Sequence, residues 1–319
     1  MTPRRPTGRE RGFALIAVLL VLAFVAVVGA EFAYSMRLEA TAARMYKETL
    51  IATHLAEAGL EQAIREIVSE FAFVGLGNDK DLDADAECPL VFYTSAKLAL
   101  KRLPHRNVPL GAGQFTYCIT DEEARLNLNT SPPDRVGRLL ERLGLERQAR
   151  DVVVDSLQDW RDPNEEHRLN GAESEDTYLK LPVPYRSKNG NLDSLAELIQ
   201  IKGVTAKLLD GEEDRPGLAG LVTVKTPGQI NINTVRQEVV RALGLSDAEF
   251  TEIEQARRLG PYSSSRFSGR GLAFTSRTFR IEALGLVDGQ VRARLTAIVQ
   301  KRTDAGGEGV AVLEWSGVH

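Results

Sequence analysis

Charge is missing from Phe13 to Ala30 and proline is missing from Phe13 to Val68. The first absence leaves 18 apolar or small residues in a row, the lower limit for crossing a hydrocarbon core of roughly 30 Å as a helix. A shed secretory signal would have a shorter apolar region and an Ala-x-Ala-like site after it, which Val28-Gly29-Ala30 imitates weakly. The second absence favours continuity. Past Glu31 the pattern stays helical, so one helix is predicted over 13–68, roughly 84 Å long at 1.5 Å per residue. Its half from Glu31 to Val68 is amphipathic and needs lateral partners. Arg4, Arg5, Arg9 and Arg11 stand against Glu10 ahead of the apolar run, which places the first dozen residues in the cytoplasm and the rest outside. A plain signal anchor would fit the same residues.

Other scarcities exclude whole classes of function. There are 4 histidines, at 54, 105, 167 and 319, and 2 cysteines without a Cys-x-x-Cys spacing, so no zinc set is present. Gly-x-Ser-x-Gly, P-loop and zinc-peptidase spacings are missing, and the paired carboxylates lie in charge-rich loops without a neighbouring His; the chain does not read as an enzyme. A net charge of −4 with no basic aromatic stripe argues against nucleic acid. The one rival signal, Leu198-Ile199-Gln200-Ile201-Lys202-Gly203-Val204-Thr205, resembles a helix-hairpin-helix turn. It lacks the second glycine and has only Lys202 and Lys207 for charge, so it reads as structural packing. Apolar content of 43% and charged content of 26% are ordinary for a folded body with one large or two modest cores. Cys88 and Cys118 both lie beyond the apolar run, where an oxidising compartment would permit a disulfide; sequence does not decide whether they meet.

Past Val68 the pattern changes. Phe71 to Glu87 reads as a Gly- and Asp-rich loop, and Leu90 to Leu103 has helical spacing closed by Pro104. Gly113 to Thr120 and Arg125 to Asn129 alternate like two arms of an antiparallel hairpin about Asp121-Glu122-Glu123-Ala124. Ser276 to Leu284, Gln290 to Arg302 and Val310 to Trp315 read as three more strands. Between these halves helical signals dominate: Asp134 to Leu143, Gln148 to Trp160, Ser194 to Ile201, Thr234 to Leu243 and Asp247 to Leu259, several with Ser, Thr or Asp caps. Leu126-Asn127-Leu128-Asn129-Thr130 ending in Leu143-Gly144-Leu145 recurs as Ile230-Asn231-Ile232-Asn233-Thr234 ending in Leu243-Gly244-Leu245, which suggests two related subdomains. The fold expected is α+β: a long amino-terminal helix and an antiparallel sheet interrupted by a large all-α insertion.

The basic leader ending in Gly12, Phe13 at the first mature position, the unbroken apolar helix and Leu55-Ala56-Glu57-Ala58-Gly59-Leu60-Glu61-Gln62-Ala63 resemble a type IV prepilin-type protein. That resemblance implies cleavage between Gly12 and Phe13 by a prepilin peptidase, with methylation of the new terminus. Most such proteins carry Glu at the fifth mature position; here it is Ala17. An unpaired carboxylate in a bilayer is costly, and a subunit with nobody ahead of it needs none. The missing Glu, with Asp159-Trp160-Arg161-Asp162-Pro163, Gly171-Ala172-Glu173-Ser174-Glu175-Asp176-Thr177-Tyr178 and Pro184-Tyr185-Arg186-Ser187-Lys188-Asn189, is similar to the K minor pseudopilins of type II secretion.

The divisions expected are a cytoplasmic leader over 1–12, the helix over 13–68 with 13–30 in the membrane, a pilin-like part over 69–130, the helical insertion over 131–273 and a second sheet part over 274–319. The resemblance implies a single-pass inner-membrane protein with its carboxy-terminal domain in the periplasm, acting by assembly with the I and J minor pseudopilins at a pseudopilus tip and contacting secreted cargo or the outer-membrane channel. A minor pilin of a type IV pilus, used for adhesion or DNA uptake, is the alternative. Asp159, Asp162, Glu165, Glu166, Glu173, Glu175 and Asp176 concentrate oxygens of the kind calcium takes, and the resemblance implies calcium for some members. Asp159, Asp162, Glu173 and Asp176 are the ligand candidates, with a solvated surface as the other reading. A second acidic run, Asp79, Asp81, Asp83, Asp85 and Glu87, has Ala84 where a calcium-binding EF-hand loop needs glycine and reads as a solvated loop.

Overall fold

The computed structural model describes residues 9–77, 87–212, 215–264, 267, 269–304 and 307–317. The leader residues 1–8, the acidic run from Asp79 to Asp85 and His319 lie outside the described residues. In chain order, α1 is Arg9–Val68, followed by β1 (Phe73–Leu76), β2 (Leu90–Tyr93), β3 (Val108–Leu110) and β4 (Gly113–Asp121). The interrupting segment carries β5 (Leu126–Asn127), α2 (Pro133–Arg142), α3 (Arg147–Arg161), α4 (Ala206–Asp210), β6 (Gly211–Glu212), β7 (Arg215–Pro216), β8 (Val222–Thr223), β9 (Ile230–Asn231), α5 (Gln237–Ala242), α6 (Asp247–Arg257) and β10 (Leu272–Ala273). The chain returns as β11 (Thr278–Val287), β12 (Gln290–Asp304) and β13 (Gly307–Ser316).

The main sheet has the antiparallel order β13-β12-β11-β4-β3. β4 and β11 pair from Asp121 opposite Phe279 to Gln114 opposite Leu286, so the interrupting segment is the loop of a hairpin. An ordinary tight hairpin follows, in which Asp288 and Gly289, both at positive φ, join β11 to β12 as the strand twist favours. One face of the sheet receives α1 through Ala52, Leu55, Ala56, Leu60, Ala63 and Ile67, all buried and spaced at the three and four intervals of one helical face. The approach is close. A side-chain carbon at Gly285 would overlap the Ala52 carbonyl, so the position where the helix crosses β11 tolerates only hydrogen. Phe92 and Phe279 close the core edge-on at 5.8 Å.

A second core fills the interrupting segment, built on Leu126, Leu139, Leu140, Leu157, Trp160 and Val240 among others. Here the predicted repeat is a repeat in space. β5 pairs in parallel with β8, and β9 with β10. Asn129 donates to the Leu192 carbonyl at 2.9 Å, and Asn233 donates to Tyr262 and Phe274 carbonyls, each at 3.1 Å. Arg161 donates to the Leu128 carbonyl, and Arg257 to the Ile232 carbonyl. Gly144 and Gly244 end α2 and α5 at φ of +82° and +81°. The first copy is elaborated: everything from Asp162 to Leu221 lies between its second helix and its returning strand, where the second copy has only 258–271.

Three expectations are corrected. The interrupting segment is not all-α, because its short strands pair as just described and Leu195–Gln200 forms a 3-10 rather than an α-helix. Leu126 and Asn127 do not fold back on β4; Asp121 caps a 3-10 turn at Glu122–Ala124 that turns the chain out of the sheet, and β11 takes β4's free edge. Leu90 to Leu103 is not helical. Leu90, Val91, Phe92 and Tyr93 are all buried in a strand paired with β1, and a continuously buried strand lacks the alternation that would separate it from a helix.

Candidate functional site

α1 leaves the sheet at Leu50. From Phe13 to Leu50 the large apolar side chains are exposed, Phe13 at 76%, Phe24 at 69%, Phe32 at 67% and Tyr46 at 74%. At 1.5 Å per residue this free length is roughly 57 Å. The stretch is long and apolar enough to cross a membrane by length and composition, with a mean hydropathy of 3.0 in its best window. Gly12 and Phe13 lie inside α1, and Ala17 stands on its apolar part. The departure point is fixed electrostatically. Glu48 receives Arg44 at 2.6 Å and Arg292 of β12 at 3.4 Å, while Arg44 also reaches Asp288 at 3.5 Å.

Three consecutive carboxylates at the end of β4 tie the sheet to the interrupting segment. Asp121 Oδ2 accepts from the hydroxyls of Thr234 at 2.6 Å and Ser276 at 2.7 Å and from the Asn231 amide at 2.9 Å; Oδ1 accepts from the Glu123 N–H at 2.9 Å. Burial pushes its carboxyl up to about 6 in spite of these donors. Glu122 is fully buried and takes Arg280 bidentately, both bonds at 2.9 Å, with the Thr223 hydroxyl at 2.6 Å and Arg125 at 3.4 Å. Burial opposes its ionisation, yet Arg280 and Arg125 hold its carboxyl below the ordinary value. Glu123 Oε1 accepts the N–H groups of Arg277 at 3.0 Å and Thr278 at 2.9 Å. Sequence reading saw only a turn here. Three acids in a row between a strand and a polar repeat carry no signal of their distant partners, which sit 101 to 158 residues away.

Cys88 and Cys118 are joined by a disulfide with Cα atoms 5.5 Å apart. It ties the start of β2 to β4. Arg102 lies over it, donating to the Cys88 carbonyl at 2.8 Å.

The three motifs of the first repeat copy converge. Trp160 meets Tyr178 edge-on at 5.4 Å, and Tyr178 stacks on Tyr185 at 5.1 Å. The predicted calcium ligands do not converge as a set. Asp159 is fully buried and already engaged, by the Arg168 guanidinium at 2.6 Å and by the N–H groups of Arg168 and Ala172 at 3.1 and 3.0 Å. Asp162 shares Arg168 at 2.7 Å, and Asp176 accepts the Glu173 N–H at 3.0 Å with His167 at 3.3 Å. Among the described residues no three His, Cys, Asp or Glu side chains stand at metal-holding distance. Glu173 differs from the others. Its Oε2 takes the Ser187 hydroxyl at 2.8 Å, but among the described residues its buried Oε1 has no partner, and neither has the buried Asn189 Oδ1. Burial raises its carboxyl, and Asp159, Glu165 and Asp162 nearby raise it further. Glu165 accepts from Asn189 at 3.1 Å, so Glu165, Glu173 and Asn189 form one oxygen-rich corner with two open acceptors.

The helix-hairpin-helix-like turn packs inward. Gly203 faces Val152 and Val153 of α3, the Lys202 N–H goes to the Tyr178 hydroxyl at 3.2 Å, and the Lys202 ammonium goes to the Gly171 carbonyl at 2.9 Å.

A family profile described as "Type II secretion system (T2SS), protein K" matches residues 119–211. The chain is similar to type II secretion system protein K of Klebsiella pneumoniae, at 29% identity over 265 residues, 79% of this chain and 74% of that one. It is 31% identical to the protein K of Pectobacterium carotovorum subsp. carotovorum over 120 residues, 33% of this chain and 36% of that one. Its fold matches a chain of the solved GspK-GspI-GspJ complex of the enterotoxigenic Escherichia coli type 2 secretion system, with a TM-score of 0.58 and 20% identity over 88% of this chain and 99% of that one. Residues 119–211 thus match the type II secretion system protein K model, and the chain is similar to proteins of that name.

Proposed function

We propose that this protein is the minor pseudopilin that starts or caps the periplasmic pseudopilus, cut between Gly12 and Phe13, methylated at Phe13, and held in the inner membrane by 13–30 with its folded domain in the periplasm. It works by assembly and not by catalysis. One observation carries the reading: the large apolar side chains of α1 are exposed from Phe13 to Leu50 and packed from Ala52 onward, so lipid must cover its first half and neighbouring helices the rest. Ala17 offers no carboxylate to the terminus of another subunit, and the bulky interrupting segment obstructs stacking above it. The partners that suit this are the I- and J-type minor pseudopilins, GspI and GspJ being the companions of the structural relative. Cargo or the outer-membrane channel would meet the exposed domain.

Mass spectrometry of the protein from cells with active prepilin peptidase tests the processing. The expected mature chain starts at methylated Phe13, while a Gly12→Glu variant retains its leader; an uncut wild-type chain would refute it. Co-purification tests the assembly. A complex with the I and J types is expected, and homopolymeric filaments, or normal pseudopilus initiation without this protein, would defeat the tip role. Calcium belongs to the same reading, held at Glu173, Glu165 and Asn189. Wild-type protein should melt higher in calcium than in chelator, and Glu173→Gln should lose that difference.

A further inference from the structure

The two repeat copies meet along α2 and α5, and beside this contact opens a concavity of about 530 Å³ in which three guanidinium groups gather, those of Arg135, Arg138 and Arg270. Among the described residues Asp134 is the only carboxylate lining it, and it is bound to Arg138 at 2.8 Å. Arg138 and Arg270 are held from behind. Arg138 donates through Nε to the Ala242 carbonyl at 2.8 Å, and Arg270 donates through Nη1 to the Gly244 carbonyl at 3.1 Å. Each spends part of a five-donor fork on this anchoring and keeps donors for the opening. The Arg135 guanidinium makes no hydrogen bond or ion pair among the described residues, its backbone N–H going to the Pro132 carbonyl at 3.1 Å.

The backbone is shaped around these groups. Gly271 and Gly244 both sit at positive φ, and a side-chain carbon would lie 3.2 Å from Arg135 Nη1 at the first and 2.9 Å from Arg270 Nη1 at the second. Two guanidinium planes therefore rest on bare backbone and are aimed by it. Capping of α5 explains the anchoring of Arg138 and Arg270, but not the gathering of Arg135 beside them. A chain of net charge −4 has no general attraction for anions, so a local cluster of three fixed cations is a selective feature.

We propose that this concavity is a docking site for an acidic segment of a partner protein, taking its carboxylates bidentately on Arg135 and Arg270. Among the described residues no aromatic side chain lines it, which disfavours nucleic-acid bases. Its volume of about 530 Å³ exceeds that of a single inorganic anion, and a concave polar surface does not suit a bilayer.

The test uses the full chain in detergent micelles with a labelled hexaglutamate peptide, followed by fluorescence anisotropy. Wild type should bind hexaglutamate and not hexalysine, and should release it at about 0.5 M salt, where screening is strong. The double variant Arg135→Gln, Arg270→Gln should bind about tenfold more weakly. Asp134→Asn, which removes the only competing carboxylate, should bind more tightly, a gain that misfolding would not mimic. Binding left unchanged in the double variant would overturn the proposal, as would equal binding of hexalysine. Displacement of the peptide by an equal concentration of inorganic phosphate would also overturn it, marking a general oxyanion pocket.

Discussion

Asp121 and Glu122 are adjacent and buried, and they respond to pH in opposite senses. The folded Asp121 carboxyl sits at about 6 against an ordinary 3.8, so the folded protein keeps a proton that the unfolded chain has lost between those values. Its contribution to stability is full below the ordinary value and declines by roughly 3 kcal/mol as pH rises to about 6. Glu122, held below its ordinary value by Arg280 and Arg125, stabilises above the unfolded value and loses that contribution as pH falls through the folded one. Urea unfolding over a pH series checks both: Asp121→Asn should flatten the decline between pH 4 and 6, and Glu122→Gln should flatten the acid limb. Glu122→Gln should also cost about 3 kcal/mol at neutral pH, because the part-buried Arg280 is left without the counter-ion it meets bidentately.

At the scale of elements, the α1 contact with β11 depends on one missing side chain. Gly285→Val should push the helix from the sheet and cost about 3 kcal/mol or more, seen as a lowered denaturation midpoint. The Cys88–Cys118 bridge closes a loop with a sequence separation of 30; Cys88→Ser with Cys118→Ser should cost about 3 to 4 kcal/mol on the chain-entropy account. Legibility followed the same line between local and distant causes. β11 and β12 were readable because apolar residues alternate onto one buried face, and α2, α3 and α6 because their apolar stripes are local. β5 was misassigned because a two-residue strand is defined by its partner, and Val222 lies 96 residues downstream of Leu126. The acidic cluster was legible as chemistry but not as geometry. Nothing in the order of residues says that Arg168 would claim Asp159 and Asp162 while Glu173 and Asn189 kept open oxygens.

For the whole molecule, two cores share one chain, and their connection is made of polar groups. Asp121 bonds Thr234 and Asn231, and Glu122 bonds Thr223, in the interrupting segment, but Ser276, Arg280, Arg277 and Thr278, which also bond the three acids, stand at or beside β11. The node therefore closes the root of the β4–β11 pair from within the sheet. Two strands that run side by side and leave the sheet at the same end bear load in a peeling geometry, in which ladder bonds fail one after another and not together. A tug on the large inserted body would reach the Asp121, Glu122 and Glu123 contacts before any rung beyond Phe279, so this collar, and not the length of the ladder, sets how hard the protein can be pulled before its sheet begins to open.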